Sequence, residues 1–413
     1  MSRPGRLIIA DPGLTGPLGH HLGYSVAVAG AALRAGMPTV VLAGRRFSGS
    51  FPVLGAEMHP MLGTTYQTAG GGGLGRRLIF GMAAHLPAPL AGLVAPPLRR
   101  MRRMLRAAAA PADGLGPELA RALGRIEADS MDLLLLHSVS GANLASLAQA
   151  ANFPNVTLLI VLRRMPAEME ADDPASEPMA ALLHRLVARF GPRLRLFADT
   201  EQLAAQFVAF SGLPVRPVPL PIIVPSVPDR PPAALSHVVF AGGARLEKGY
   251  QHLPAAVAAV TGRARFTIQS GPVGPQDDPL VQRAHRALLA RRGADLAVIE
   301  EALAPDAYAA LLAEADLLLL PYDGRVYGSR SSGILAEALA LGVPAVVPSS
   351  CWMAEVAAPD RAVAIAPGML PWEALTAALD SLAELRRAAR AGAPAWRAKH
   401  NPDALFLALV TQP

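Results

Sequence analysis

The chain has 413 residues, 52% hydrophobic and 17% charged, with a formal net charge of +6 and one cysteine, Cys351. That balance is enough to bury a core and excludes a disordered polymer, while a lone cysteine excludes a disulfide framework and favours a reducing compartment. The length suits two domains of about 200 residues each, and the basic excess leaves acidic membrane surfaces or phosphorylated substrates open as partners.

The opening residues, MSRPGRLIIADPG, carry too short an apolar run for a signal peptide. Arg6 to Ala10 reads as a strand that feeds a loop from Asp11 to Gly23, holding Gly13, Gly16, Gly19, Gly23, His20 and His21. A small-residue helix from Tyr24 to Ala35 and a strand from Thr39 to Leu42 follow. Strand, glycine loop, helix, strand is the start of a doubly wound domain. The glycines do not follow GxGxxG and no acidic residue ends the second strand, which argues against a nicotinamide cofactor.

Leu78 to Leu98 holds no charged residue apart from His85, but Pro87, Pro89, Pro96 and Pro97 interrupt it, so a membrane-spanning helix is not expected. Arg99, Arg100, Arg102, Arg103 and Arg106 then alternate with Met101, Met104 and Leu105. Such a run suits either an anionic membrane surface or a solvated helix face. It lacks the interleaved aromatics of a nucleic-acid binder, and no nucleic-acid partner is expected.

From Met131 strands and helices alternate again: a strand from Asp132 to His137, a helix from Asn143 to Ala151, and strands from Val156 to Leu162 and from Leu194 to Ala198. Arg163, Arg164 and Asp199 sit with His137 at strand ends, the edge where ligands of doubly wound sheets bind. His137 is either a packed structural histidine or a neutral imidazole that hydrogen-bonds a ligand, and the second role is the one expected here.

Pro214 to Pro232 contains eight prolines in nineteen residues, a density that suits an extended connection between domains. A strand from His237 to Ala241 leads into GGARLEKGYQHL, which brings Gly243, Arg245 and Lys248 to the start of a helix at Gln251 and so reads as a diphosphate loop. Asp277 and Asp278 lie among Gly and Pro with no ligand-spaced histidine or glutamate, so they read as a surface turn and no metal site is expected. The segment LLLLPYDGRVYGSRSSGILAEALALGVPAVV, Leu317 to Val347, is a buried strand, a Gly/Ser loop, a helix and a second buried strand. Backbone amides of Ser331, Ser332 and Gly333 at that helix start form an anion site, and Glu337 follows one turn on, either as a helix-dipole partner or as an acceptor for ribose hydroxyls.

PY, SSG and EALALGVP, together with Glu247-Lys248-Gly249 about ninety residues earlier, resemble the donor-binding elements of retaining GT-B glycosyltransferases, in particular glycosyltransferase family 4. The resemblance covers residues 130 to 413 and, loosely, 1 to 50. It implies an α/β fold of two Rossmann-like doubly wound domains facing across a cleft, in a metal-independent enzyme with no cofactor that moves a sugar from a nucleotide-diphosphate donor to a hydroxyl acceptor with retention. Lys248, Arg245, Gly243, Ser331, Ser332, Gly333 and Gly19 would bind the donor phosphates, Glu337 the ribose, and His137 and His20 would be the catalytic candidates that hold donor sugar or acceptor. The family has two glutamates eight residues apart; here the second is Glu337 and the first falls on Ser329, which lacks the carboxylate that contacts the sugar. Its arginine also falls on Gly243, two places before Arg245.

The expected division is an acceptor-side domain over 1–213 with an insertion at about 60–125, a linker over 214–232, a nucleotide-sugar domain over 233–390, and a C-terminal helix over 391–413 returning to the first domain. The implied setting is glycan or polysaccharide biosynthesis in the cytoplasm, with a glycan or lipid-linked acceptor and peripheral contact to the inner membrane face through Arg99 to Arg106. Two other readings are a nucleotide-sugar 2-epimerase of the same fold and a non-catalytic nucleotide-sugar-binding partner, the latter favoured by Ser329.

Overall fold

The computed structural model describes residues 5–16, 20–64, 114–172, 178–224 and 235–411; Gly19 and the Arg99 to Arg106 run lie outside these residues. The chain forms two compact units, Met1–Pro217 and Val218–Pro413. Among the described residues, no helix is long and apolar enough to cross a membrane.

The first unit is built on strands β1 (Leu7–Asp11), β2 (Thr39–Gly44), β3 (Ala56–Leu62), β4 (Leu133–Leu136), β5 (Thr157–Leu162), β6 (Leu194–Ala198) and β7 (Val215–Pro217). They lie side by side in the order β3-β2-β1-β4-β5-β6-β7, every pair parallel. The second unit repeats the plan with β8 (Ser236–Ala241), β9 (Ala264–Gln269), β10 (Leu296–Ile299), β11 (Leu317–Leu319), β12 (Ala345–Pro348) and β13 (Ala362–Ile365), in the order β10-β9-β8-β11-β12-β13 and again all parallel. Each sheet reverses its winding direction once, between β1 and β4 and between β8 and β11. In doubly wound folds ligands collect at the carboxyl ends of the strands flanking that reversal.

The central strands are apolar end to end because helices cover both faces. Leu7 to Ala10 and Leu317 to Leu320 have no exposed surface, and each fully buried leucine or isoleucine contributes about 1.5–3 kcal/mol. The opposite, amino-terminal edge of each sheet is pinned by one carboxylate. Asp132, just before β4, accepts from the Arg6 backbone amide at 2.9 Å and pairs with the Arg6 guanidinium at 2.9 Å. Asp316, just before β11, accepts from the His237 amide at 2.8 Å and pairs with Arg386 at 3.0 Å. In both units, then, an aspartate locks the start of the strand beside it.

The structure redraws three expectations. The first helix spans His20–Arg34, so His20 and His21 belong to its first turn and not to the glycine loop. The insertion expected at about 60–125 is flanked by parts of the sheet unit: β3 runs to Leu62, and the helix Leu115–Arg125 buries Leu115, Leu119 and Leu123 in the first core. Val215–Pro217, the start of the proline-rich stretch, is an edge strand paired with β6, a position where a proline loses no partner on its open side.

Candidate functional site

At the carboxyl end of β8 the chain turns through Gly242, which has φ +121° and donates to Gln269 Oε1 at 3.1 Å. A Cβ on Gly242 would stand 2.5 Å from Lys248 Nζ and 3.1 Å from Ile334 Cδ1. Lys248 therefore folds back so that its ammonium lies against the Gly242 backbone and the first turn of the helix Gly333–Leu341. The loop is held there by Gly249: its φ is +70° and an added Cβ would fall 1.9 Å from the Pro321 carbonyl oxygen, so no side chain fits. Asp323 N also donates to Glu247 O at 2.9 Å, tying the EKG loop to the PYDG loop.

Lys248 is 9% exposed. Burial pulls its ammonium down to about 8, helped by Arg245 and Arg330 and opposed by Glu247. Its Nζ also sits 5.7 Å from the centre of the Tyr322 ring. Arg245 is more open and pairs with Glu247 at 3.1 Å. A Cβ on Gly243 would stand 3.9 Å from Arg245 Nε, so the guanidinium lies beside the place where the family carries its arginine.

Ser332 caps the helix by accepting from Leu335 N at 3.3 Å. The first intrahelical bond runs from Ala336 N to Ser332 O, leaving the Gly333 and Ile334 amides ahead of it. Gly333 is exposed, with nothing within 4 Å of the space above its Cα. The structure thus brings Lys248, Gly243, Arg245 and the start of the helix after Ser331 and Ser332 to one place at the reversal of the second sheet. Glu337 lies further along the same helix, half-buried, and accepts from the Tyr308 hydroxyl; burial pushes its carboxyl up to about 7, which the Tyr308 bond opposes.

The reversal of the first sheet carries a different cluster. Asp11, the last residue of β1, is wholly buried and accepts from Gly13 N at 2.9 Å, with both carboxylate oxygens 2.9 Å from His21 Nδ1. His137 Nε2 lies 3.3 Å from Asp11 Oδ2 and 3.2 Å from Ser25 Oγ, and His137 Nδ1 lies 3.1 Å from Ser138 Oγ. Burial pushes Asp11 up, but His137 and His21 outweigh it and hold the carboxyl far below the usual range. Burial pushes the His137 imidazole down, opposed by Asp11. An ionised carboxylate only accepts, so the neutral His137 ring directs Nε2–H at Asp11 and takes the Ser138 hydroxyl at Nδ1. Tyr24 stacks on the ring with centroids 4.1 Å apart, and Arg163, 5.1 Å above Tyr24, pairs with Asp199 at 3.2 Å.

His137 is therefore not the open ligand contact the sequence suggested. It has 0% exposure and both nitrogens engaged, and it supports Asp11 from behind. The imidazole that reaches the surface is that of His21, with 17% of its side chain exposed. His20 is the first residue of the helix His20–Arg34, and Gly19 lies outside the described residues. Asp11 and His21 were missed as a pair because ten residues separate them in sequence; the one available signal was an acidic residue ending a buried strand. Among the described residues no group of three or more His, Cys, Asp or Glu could hold a metal ion.

No family model and no curated protein matches the sequence. Solved structures do match over nearly the whole chain. Sucrose-phosphate synthase from Thermosynechococcus elongatus superposes with a TM-score of 0.63 at 14% identity, covering 98% of this chain and 97% of that one. WaaG, a glycosyltransferase involved in lipopolysaccharide biosynthesis, gives 0.59 at 15% identity over 98% and 100%. An α,α-trehalose-phosphate synthase (UDP-forming) from Burkholderia xenovorans, in complex with glucose-6-phosphate, gives 0.61 at 13% identity over 97% and 98%. The fold is that of the GT-B glycosyltransferases, two Rossmann-like units in one chain, as the donor-loop motifs implied.

Proposed function

We propose that this protein is a glycosyltransferase that moves a sugar from a nucleotide-diphosphate donor to a hydroxyl acceptor. The observation that carries the reading is the seating of Lys248: a buried ammonium held against Gly242 and Ile334, at the uncovered start of the helix Gly333–Leu341. A buried lysine that keeps a charge at neutral pH is costly to fold, and an anion at a helix start is the partner that offsets the cost. A pyrophosphate fits, being dianionic or more and matching several donors at once. As the sugar–phosphate bond breaks, negative charge grows on the leaving diphosphate, and Lys248, Arg245 and the Gly333 and Ile334 amides are placed in advance to stabilise it. Glu337, one turn further along the same helix, accepts the ribose hydroxyls in place of Tyr308.

On this reading His21 in the first unit meets the acceptor or the transferred sugar, with the buried Asp11 and His137 as its support. The setting we favour is cytoplasmic synthesis of a glycan or polysaccharide on a glycan or lipid-linked acceptor, with peripheral attachment to the inner membrane face. A thermal-shift screen against UDP-, GDP- and ADP-sugars tests the donor assignment. A true donor at a hundred times its dissociation constant stabilises the fold by about 2.7 kcal/mol. Lys248→Ala should abolish that shift and lower turnover by about a hundredfold or more. Absence of any shift in the intact protein, or an undiminished shift and turnover in the variant, would remove the reading.

A further inference from the structure

Behind the phosphate loop, and wholly within the second unit, runs a buried polar chain that the reaction itself does not touch. Tyr250 follows Gly249 directly and is wholly buried, its ring edge-on to Phe240 of β8 with 5.8 Å between centroids. Its hydroxyl lies 2.8 Å from Nδ1 of His285, on the helix Pro279–Ala290. His285 Nε2 lies 3.0 Å from Glu300 Oε1, just after β10, and Glu300 Oε2 pairs with Arg292 at 2.6 Å. Burial pushes the Tyr250 hydroxyl up to about 12, opposed by a bond to Ser270, so it keeps its proton. Arg292 and His285 hold the Glu300 carboxyl below its usual range. An ionised carboxylate only accepts, so the imidazole proton sits on Nε2, and Nδ1 takes the Tyr250 hydroxyl.

The far end of this chain is shared. Glu301, the next residue, accepts at its backbone carbonyl from the Gln269 side-chain amide at 3.4 Å, and Gln269 Oε1 accepts from Gly242 N at 3.1 Å. One arm therefore runs from Glu300 through His285 and Tyr250 to the turn that carries Lys248. The other runs from Glu301 through Gln269 to Gly242, against which the ammonium is packed. Tyr250 is tied at both ends, because its backbone amide also closes the turn on Arg245 O at 3.4 Å. Stability alone does not call for the polar arm. An apolar pair of the same shape would fill the space at little cost, whereas a fully paired buried network fixes one arrangement.

We propose that His285 is a positioning residue of the donor site: through Tyr250 it fixes the turn that seats the Lys248 ammonium against Gly242. The inference rests on the transferase reading for its ligand and on the two arms for its geometry. Released from this hold, the Tyr250 ring keeps its packing while Gly249 and Lys248 lose their fixed place, and the ammonium reaches a more open one. The charged and titratable groups around that ammonium are Arg245, Arg330, Glu247 and Tyr322. None of them belongs to the chain from Tyr250 to Glu300, so a change in that chain acts on Lys248 by moving it.

Calorimetric titration of the full chain with UDP, GDP and ADP, from neutral to alkaline pH, tests it. Tyr250→Phe deletes only the hydroxyl, and the double change Tyr250→Phe with His285→Leu replaces the buried pair by apolar groups that the fold should bear. Affinity per folded molecule for the best-bound diphosphate should fall about five- to tenfold at neutral pH in both, with no further loss in the double variant. In the native protein affinity falls as pH rises through about 8; in both variants that fall should move toward the ordinary lysine value of 10.5. Arg263→Ala, which breaks an exposed pair with Asp380 in the same unit, should change neither. A merely structural pair would lower the melting temperature and leave the affinity and the pH of its fall as in the native protein. That result, or a loss of affinity with the fall still near 8, would overturn the proposal. If none of the three diphosphates binds the native protein, the donor reading falls and this inference with it. If one binds, needs Lys248 and ignores Tyr250, only the positioning role is misread.

Discussion

Lys248 is one of two lysines among the 38 basic residues of this chain. The choice has a physical reason. A guanidinium is wider than an ammonium and stays charged under all ordinary conditions, whereas a buried lysine adjusts its proton. Lys248 Nζ is packed so tightly that even a methyl on Gly242 would stand 2.5 Å away, so Lys248→Arg should fail to restore activity. Its depressed value means the charged form is the one that costs stability: the cost is complete below about 8 and fades as pH rises toward the ordinary 10.5. Lys248→Met should therefore stabilise the empty protein at pH 7 by about 2 kcal/mol, read by chemical denaturation, while destroying nucleotide binding. In the native protein, nucleoside-diphosphate affinity should fall above pH 8 as the ammonium is lost. Glu337 has the opposite proton and the same sign of cost. Its carboxyl is raised to about 7, so the ionised form destabilises, with no cost below 4.5 and the full cost above about 7. Glu337→Gln should raise the melting temperature at pH 8 and leave it unchanged at pH 4.5, and it should weaken discrimination between ribose and 2′-deoxyribose nucleotides. An equal gain at both pH values would show that Glu337 is not the titrating group.

Among the elements, the EKG turn is the most sensitive. Gly249 combines a positive φ with a carbonyl contact that excludes a Cβ. Gly249→Ala should cost at least about 2 kcal/mol and should displace Lys248, so nucleotide-induced stabilisation should fall by more than the loss of fold stability explains. If that stabilisation survives in full, the turn does not position Lys248. The turn was read from two signals together, Gly, Arg and Lys before a helix and the resemblance of Glu247-Lys248-Gly249 and the Glu337 segment to the family's donor-binding elements, while the central strands were legible as unbroken apolar runs such as Leu317 to Leu320. Three strands were not: β3, β7 and β13. All three lie at sheet edges, where only one neighbour is needed, so Pro60 and Pro217 are tolerated and no strong alternation is enforced. The Asp11 cluster was illegible for another reason. Its members come from β1, the helix His20–Arg34 and the residues after β4, β5 and β6, and only the sheet order places them together. His137 was found by its position at a strand end, but sequence gives no measure of burial, and Tyr24 covers the ring that seemed available.

At the scale of the whole molecule, the chain uses one plan twice. Each unit has a parallel sheet that reverses its winding once, an aspartate that pins the amino-terminal edge beside the reversal, and its chemistry at the carboxyl edge. The two edges differ in the way the proposed reaction requires. The second unit offers cations and helix amides suited to a leaving diphosphate; the first offers the His21 imidazole, backed by the buried Asp11 carboxylate, suited to sugar hydroxyls. Asp316→Ala tests the shared framework: it should lower stability by about 2–4 kcal/mol through the unpaired Arg386 and His237 amide, while donor affinity per folded molecule stays as in the native protein. The most direct test of the account is a crystal structure with the nucleoside diphosphate that stabilises the protein best. The account predicts a phosphate oxygen about 3 Å from Lys248 Nζ and from the Gly333 or Ile334 amide, with ribose hydroxyls on Glu337 in place of Tyr308. A diphosphate bound away from Lys248 and that helix start would contradict it.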